Sequence, residues 1–292
     1  MPKLQTNGNS TAFAHSGEAD TVVLLHSSAS SGSQWRSLCG LLGDDFEVLA
    51  PDLYGYGASA AWPGHKPITI ADEAAAITAL LGNEDKPVHI VGHSYGGAVA
   101  LELALKAHIH VQSVTLIEPV AFHLLRHDTQ GRDLYNEVCR IGDRVRQSVA
   151  CGDYWSAMAR FVDYWNGNGT WESLTDDKRA ALAARAPKVA LDFYTTTAED
   201  TPLSAYSHVA APVLILSGEH TRAPTRRIAE LLTRAIPRSH LQTVPGAGHM
   251  APLTHKEFVN AAIRRHLLLN AWPREQHDGS GVPELGYAVV GI

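Results

Sequence analysis

Only three cysteines, Cys39, Cys139 and Cys151, occur in 292 residues, and no two of them form a Cys-x-x-Cys pair. An odd count without that spacing excludes a disulfide framework and suits buried or idle thiols in a reducing compartment. Basic residues are also scarce. The 24 Lys and Arg against 30 Asp and Glu give a formal charge of −6, with no basic stripe, so neither nucleic acid nor an anionic membrane is an expected partner. No apolar run is long enough to span a bilayer, and the opening MPKLQTNGNSTAFAHSG has no apolar signal-type core, so a soluble, cytoplasmic protein is expected. His108 and His110 are the one close histidine pair, without an evident third ligand, so no metal site is expected.

What is present is enough apolar residue, 45% of the chain, for one large α/β domain with room for an insertion. Strand-like runs fall at residues 10–15, 21–26, 46–50, 88–93, 111–117, 212–217 and 240–244. Helical patterns stand between them. Trp35, Leu38, Leu41 and Leu42 suit a short helix, and residues 69–81 suit another, with Thr69 and Asp72 placed as a cap and Ile70, Ala74, Ile77 and Leu81 facing a core. Ile228, Leu231, Leu232 and Ala235 mark a further helix, and residues 254–268 a last one, with Thr254 and Glu257 spaced as a capping box. Alternating strands and helices imply a mostly parallel sheet covered on both faces, with ligands outside the carboxyl ends of its strands.

The chemistry centres on residues 88–97, VHIVGHSYGG, where a β-branched run breaks into Gly-x-Ser-x-Gly and then a small-residue helix. A serine that attacks a carbonyl must stand clear of the backbone, and the tight strand-to-helix turn that achieves this strains its dihedrals. Gly92 and Gly96 occupy positions where a side chain would collide. Ser94 is therefore the candidate nucleophile, and the backbone NH of Tyr95 a candidate donor to the oxyanion. A serine hydroxyl needs a base, and His249, between glycines after the last strand, is the candidate.

The ordered set of His26 with Trp35 after it, D-x-x-G-x-G-x-S at Asp52 to Ser59, G-H-S-Y-G-G at Gly92 to Gly97 and G-A-G-H-M at Gly246 to Met250 resembles the α/β-hydrolase superfamily from about residue 10 to 269. The resemblance implies an α/β-hydrolase fold: a mostly parallel central sheet, helices on both faces and a helical cap inserted after what the family counts as strand six, here the run at 111–117. It divides the chain into a hydrolase core at 1–121, a cap at 122–207, the rest of the core at 208–269 and an extension at 270–292, open as an edge strand, an oligomer contact or disorder. It implies a second oxyanion donor in the NH of Ser28, with Ser27 standing where the family usually has glycine. His26 and His93 match positions that brace loops. The acid departs from the common pattern, because Thr221 occupies the usual aspartate position after the family's strand seven, here the run at 212–217. Glu118, at the end of strand six, is the favoured acid, as in some relatives, and Glu219 is the second choice.

The implied activity is serine hydrolysis of a carboxylic ester or lactone with an apolar or aromatic portion, since epoxide hydrolases and dehalogenases would require aspartate at position 94. Tyr154, Trp155, Phe161, Tyr164, Trp165 and Trp171 in the cap suit an apolar roof, although each has its own packing to satisfy. The alternatives are a ligand receptor or a lyase on the same scaffold. The expected partner is a small ester-type substrate, the expected cofactor none, and the expected state a monomer or homodimer.

Overall fold

The computed structural model describes residues 19–82, 86–106 and 108–271, so the strand expected at 10–15 and the extension beyond residue 271 lie outside the described residues. Strand β1 (Thr21–Leu25) shows why a continuous apolar run is needed here. Val23 and Leu25 join one hydrophobic cluster and Val22 and Leu24 the other, because alternate side chains leave opposite faces of a strand buried on both. Each such side chain contributes about 1.5–3 kcal/mol of burial.

Among the described residues β1 is joined by β2 (Glu47–Leu49), β3 (Val88–His93), β4 (Val111–Ile117), β5 (Val213–Gly218) and β6 (Ser239–Val244) in one six-stranded sheet. Its order is β2-β1-β3-β4-β5-β6, and every pairing is parallel. The chain moves outward from β1 to β2 and then crosses back to β3, so the strand order reverses beside β1 and β3. Crevices at the carboxyl ends of parallel strands form at such a reversal.

One face is covered by α1 (Arg36–Leu42) and α10 (Lys256–Leu269), through Leu38 and Leu42 of the first and Val259, Ile263 and Leu267 of the second. The other carries α2 (Ile70–Leu81), α3 (Tyr95–Lys106) and α8 (Ala223–Ala235). The expected cap of α2 is present: the Thr69 side chain accepts from the Asp72 NH, and Asp72 reaches back to the Thr69 NH. Two local expectations need correction. Leu41 points to solvent, being on the outer side of α1. The Thr254–Glu257 capping box does not form. Thr254 closes the single turn α9 (Ala251–Thr254) and donates its hydroxyl to the Met250 carbonyl, so α10 begins only at Lys256, after His255.

After β4 the chain leaves the sheet for α4 (Arg132–Ala150), α5 (Tyr154–Asn166), α6 (Asp176–Ala183) and α7 (Ala186–Ala198), returning at β5. Val138 and Val145 of α4, Met158 and Val162 of α5 and Val189 and Phe193 of α7 are buried in the same cluster as the core side of the sheet. Phe161 and Trp165 of α5 and Val189 and Phe193 of α7 share a cavity wall with Ser94 and Val120, so these two helices stand over the carboxyl ends of β3 and β4.

Candidate active site

Ser94 sits between β3 and α3 with φ of 55°, a left-handed conformation that few non-glycine residues adopt. The turn survives because its backbone is fully tied. The Ser94 NH donates to the Ile117 carbonyl at 2.9 Å, and the Ser94 carbonyl accepts from Gly97 and Ala98. A Cβ at Gly92 would overlap the Gly96 carbonyl, and one at Gly96 would overlap the carbonyls of Leu25 and His26. The close approach of α3 to β1 and β3 thus depends on both glycines.

His249, after β6, places Nε2 at 2.9 Å from Ser94 Oγ and Nδ1 at 3.2 Å from Glu118 Oε2. A carboxylate can only accept, so Nδ1 carries the proton and Nε2 is left to accept from the serine. Glu118, at the end of β4, also has a positive φ, 50°, which turns its side chain back toward β5. Its carboxylate accepts from the Gly218 NH at 2.7 Å, from Ser217 Oγ at 3.2 Å and from the Thr221 hydroxyl. Burial opposes its charge, but the His249 ring, the Thr221 hydroxyl and the Gly218 NH together hold the carboxyl below its ordinary range. Thr221, at the position where the resemblance leads one to look for the acid, instead solvates the carboxylate that reaches His249. Glu219 is exposed and accepts from the Gly246 NH at 2.8 Å, holding the histidine loop by its backbone.

The loop after β1 is braced from three sides. His26 Nε2 accepts from the Leu53 NH at 3.0 Å while Nδ1 donates to the Ser27 carbonyl, and burial drives the ring's pKa down to about 4. Asp52 accepts from the NH of Gly32 at 2.7 Å and of Ala58 at 2.8 Å, which accounts for the aspartate of that motif, and a Cβ at Gly57 would overlap the Asp52 carboxylate. Ser27 donates its NH and its hydroxyl to Gln34 Oε1, and Gln34 Nε2 donates to His93 Nδ1 at 3.1 Å. His93 Nε2 in turn donates to the His249 carbonyl at 2.9 Å, and burial lowers its pKa to about 3. With serine at 27, the positive φ of the loop falls at Ala29, 57°.

Ser28 and Tyr95 line the same cavity as Ser94, and Tyr95 opens α3, so its NH has no carbonyl one turn back to bond. The cavity measures about 20 Å³, room for one water. Phe122, Phe161, Trp165 and Phe193 form much of its wall. Trp165 lies flat on the His249 ring, centroids 3.9 Å apart and planes 23° from parallel. Tyr154 and Trp155, by contrast, are exposed.

Beside the cavity lies a cluster that the residue pattern alone conceals. Lys188 of α7 is buried and donates to Glu73 at 3.1 Å and to Asp192, beneath the rings of Tyr56 and Tyr95 at 5.0 and 4.4 Å. Asp192 Oδ2 also accepts from Ser28 Oγ at 2.5 Å and from Tyr56 Oη at 2.6 Å. A Lys and an Asp at i, i+4 read as a solvated helix face, and Glu73 falls in the polar half of α2. Only the meeting of α7 with α2 and the β1 loop buries all three. Gln34 and the Trp165 stack were equally unmarked, being a polar residue in a polar loop and one tryptophan among several.

Parallel topology, strained elbow and an ordered Ser, Glu and His define a class, and sequence comparison agrees: the alpha/beta hydrolase family profile matches residues 22–262, and the chain belongs to that family. It is similar to a protein named carbamate hydrolase RutD of Pantoea ananatis, 27% identical over 91% of this chain and 93% of that one. It is also similar to the lipase LipV of Mycobacterium tuberculosis, 39% identical, but over only 34% of this chain and 36% of the lipase. Among solved structures the fold matches MenH from S. aureus, with a TM-score of 0.72 and 17% identity over 88% of this chain and 96% of that one. It likewise matches the enol-lactonase of Burkholderia xenovorans, with a TM-score of 0.68 and 19% identity over 86% and 92%. Among the described residues no helix is long and apolar enough to cross a membrane.

Proposed function

We propose that the protein is a serine hydrolase that cleaves a carboxylic ester or lactone with an apolar portion through an acyl-enzyme on Ser94. The observation that carries this reading is the chain of contacts from Ser94 Oγ to His249 Nε2 and from His249 Nδ1 to Glu118. In the first half-reaction Ser94 Oγ attacks the carbonyl carbon while His249 takes its proton, and Glu118 stabilises the imidazolium so formed. The carbonyl oxygen becomes an oxyanion facing the NH groups of Ser28 and Tyr95. Donors of this kind are worth about 3–4 kcal/mol each in the transition state. His249 then returns the proton to the departing alkoxide, and in the second half-reaction it activates the water that releases the acid. Helices α4 to α7 act as the cap, and substrate enters as their aromatic wall moves off a cavity that now fits a single water.

Release of nitrophenol from p-nitrophenyl butyrate by the wild type, by Ser94→Ala and by Glu118→Gln tests the proposal. Turnover that vanishes in the first variant and drops by about 10³ or more in the second is expected. Ser94→Ala turning over at the wild-type rate would refute it. The name of the full-length relative adds a carbamate ester as a second substrate to assay, since its carbonyl passes through the same tetrahedral step.

A further inference from the structure

The polar side chains on the wall of the reactive cavity, apart from Ser94, are Ser28, Tyr95, Asp192 and Thr196. Each of the three hydroxyls has one proton, and each proton is already committed. Ser28 donates to Asp192 at 2.5 Å, Tyr95 to Glu73 at 3.3 Å and Thr196 to the Asp192 carbonyl at 2.7 Å. Asp192 has no proton to give while it accepts from Ser28, Tyr56 and Lys188, and of its roughly four acceptor positions one remains. The side-chain oxygens of this wall therefore offer lone pairs and no donors. The backbone NH groups of Ser28 and Tyr95 are reserved for the scissile carbonyl oxygen in the reading above. Of the other lining residues Val120, Phe122, Phe161, Val189 and Phe193 are apolar, and Trp165 adds a single side-chain donor, its indole NH.

A substrate group buried beside Ser28 and Asp192, beyond its reacting carbonyl, meets acceptors whose own protons are already committed. At this end of the wall a carboxylate would be desolvated without a donor and would face the Asp192 charge, whereas a hydroxyl or amine would find an acceptor waiting. Building on the hydrolase reading, we infer that the site selects acyl groups bearing a hydrogen-bond donor, a hydroxyl or amine a few atoms from the carbonyl, and rejects acyl groups bearing a carboxylate. Ser28 and Asp192 are the residues that set this choice. Asp192 is held for it by Lys188 and Tyr56, which fix both its oxygens in place.

The test compares p-nitrophenyl butyrate, p-nitrophenyl 3-hydroxybutyrate and mono-p-nitrophenyl succinate, each rate divided by that ester's hydroxide-catalysed rate. The expected kcat/KM for the hydroxy ester exceeds that of the butyrate by about tenfold or more, and the succinate falls below the butyrate by at least as much. Ser28→Ala, which keeps the backbone NH and removes the hydroxyl acceptor, brings the hydroxy-to-plain ratio toward one, and Asp192→Asn relieves the exclusion of succinate. A binding arm is independent of turnover: the Ser94→Ala protein is titrated with butyramide, 3-hydroxybutyramide and succinamate, followed by tryptophan fluorescence. The hydroxy amide binds tightest if the inference holds. Equal or undetectable binding of all three, or a hydroxy ester no better than the plain ester, overturns it. Hydrolysis of the butyrate that depends on Ser94 would leave the hydrolase reading standing in either case, and absence of that hydrolysis would remove the hydrolase reading while the binding arm still decides selectivity.

Discussion

The indole of Trp165 lies face to face with the imidazole of His249, with 3.9 Å between ring centroids. An aromatic face attracts a cation by about 0.5–2 kcal/mol, more when water is excluded. In the proposed acyl transfer the charge on His249 appears in the transition state, so the stack would favour that state over the resting one. Trp165→Ala is expected to lower kcat for p-nitrophenyl butyrate by about 3- to 30-fold, with Trp165→Phe retaining most of it. Steady-state kcat of the two variants checks this, and an unchanged kcat in the alanine variant would assign the indole to packing.

Thr221 gives Glu118 a donor, and loss of that donor raises the Glu118 carboxyl toward its ordinary value. The sign follows: in Thr221→Val the acid limb of the kcat/KM profile moves to higher pH. A sharper form exploits the position itself. Glu118→Gln combined with Thr221→Asp restores a carboxylate at the location the family commonly uses, and is expected to recover about tenfold or more of the activity lost by Glu118→Gln alone. Activity in the double variant no higher than in Glu118→Gln would show that Thr221 does not face the histidine productively.

Lys188 compensates two buried carboxylates, Glu73 from the core and Asp192 from α7. Burial raises the Glu73 carboxyl, while the two carboxylates raise the Lys188 ammonium against its own burial. Lys188→Met strands both acids and is expected to cost about 3–5 kcal/mol in urea unfolding. Lys188→Met with Glu73→Gln is expected to recover part of that loss, and additive losses in the pair would contradict a shared network.

Three buried histidines make the fold acid-sensitive well above the carboxylate range. His26, His93 and His123 are lowered to about 4, 3 and 4, in each case chiefly by burial. Between about pH 6.5 and 4 the unfolded chain binds protons that the folded chain refuses, so stability falls as pH falls, by up to about 1.4 kcal/mol per pH unit for each histidine. Glu118, held below its ordinary range, adds a further loss at lower pH. Urea midpoints at pH 7.5 and 5.0 measure this. A midpoint that does not drop at pH 5.0 would contradict the buried neutral rings.

The elements of the site that were legible in the residue pattern are those whose chemistry is local. The elbow at Ser94 declares itself through Gly92 and Gly96, and the α2 cap through Thr69 and Asp72, because a turn or a cap is built from neighbours in sequence. The histidine could be named by its place after the last strand and the acid only through the resemblance to relatives that carry it at the position of Glu118, and choosing between Glu118 and Glu219 required knowing which carboxylate the sheet turns inward. The Lys188, Asp192 and Glu73 cluster was not legible at all. Glu73 lies 115 residues before Lys188 and Asp192 lies 4 residues after it, and each looks like a surface charge until α7 brings Lys188 against Glu73. The failed box at Thr254 has the opposite cause: the right spacing was present, but the single turn α9 claimed Thr254 first.

The most direct test of the central claim is covalent labelling of Ser94. Wild-type protein, Ser94→Ala and Glu118→Gln are exposed to a p-nitrophenyl alkylphosphonate, whose phosphorus stops at a stable adduct resembling the tetrahedral intermediate, and intact mass is followed with time. Stoichiometric phosphonylation of the wild type at Ser94, none in Ser94→Ala and slow labelling in Glu118→Gln is the predicted result. A wild-type protein that stays unlabelled, or an equal adduct in Ser94→Ala, would contradict the nucleophile and with it the proposed reaction.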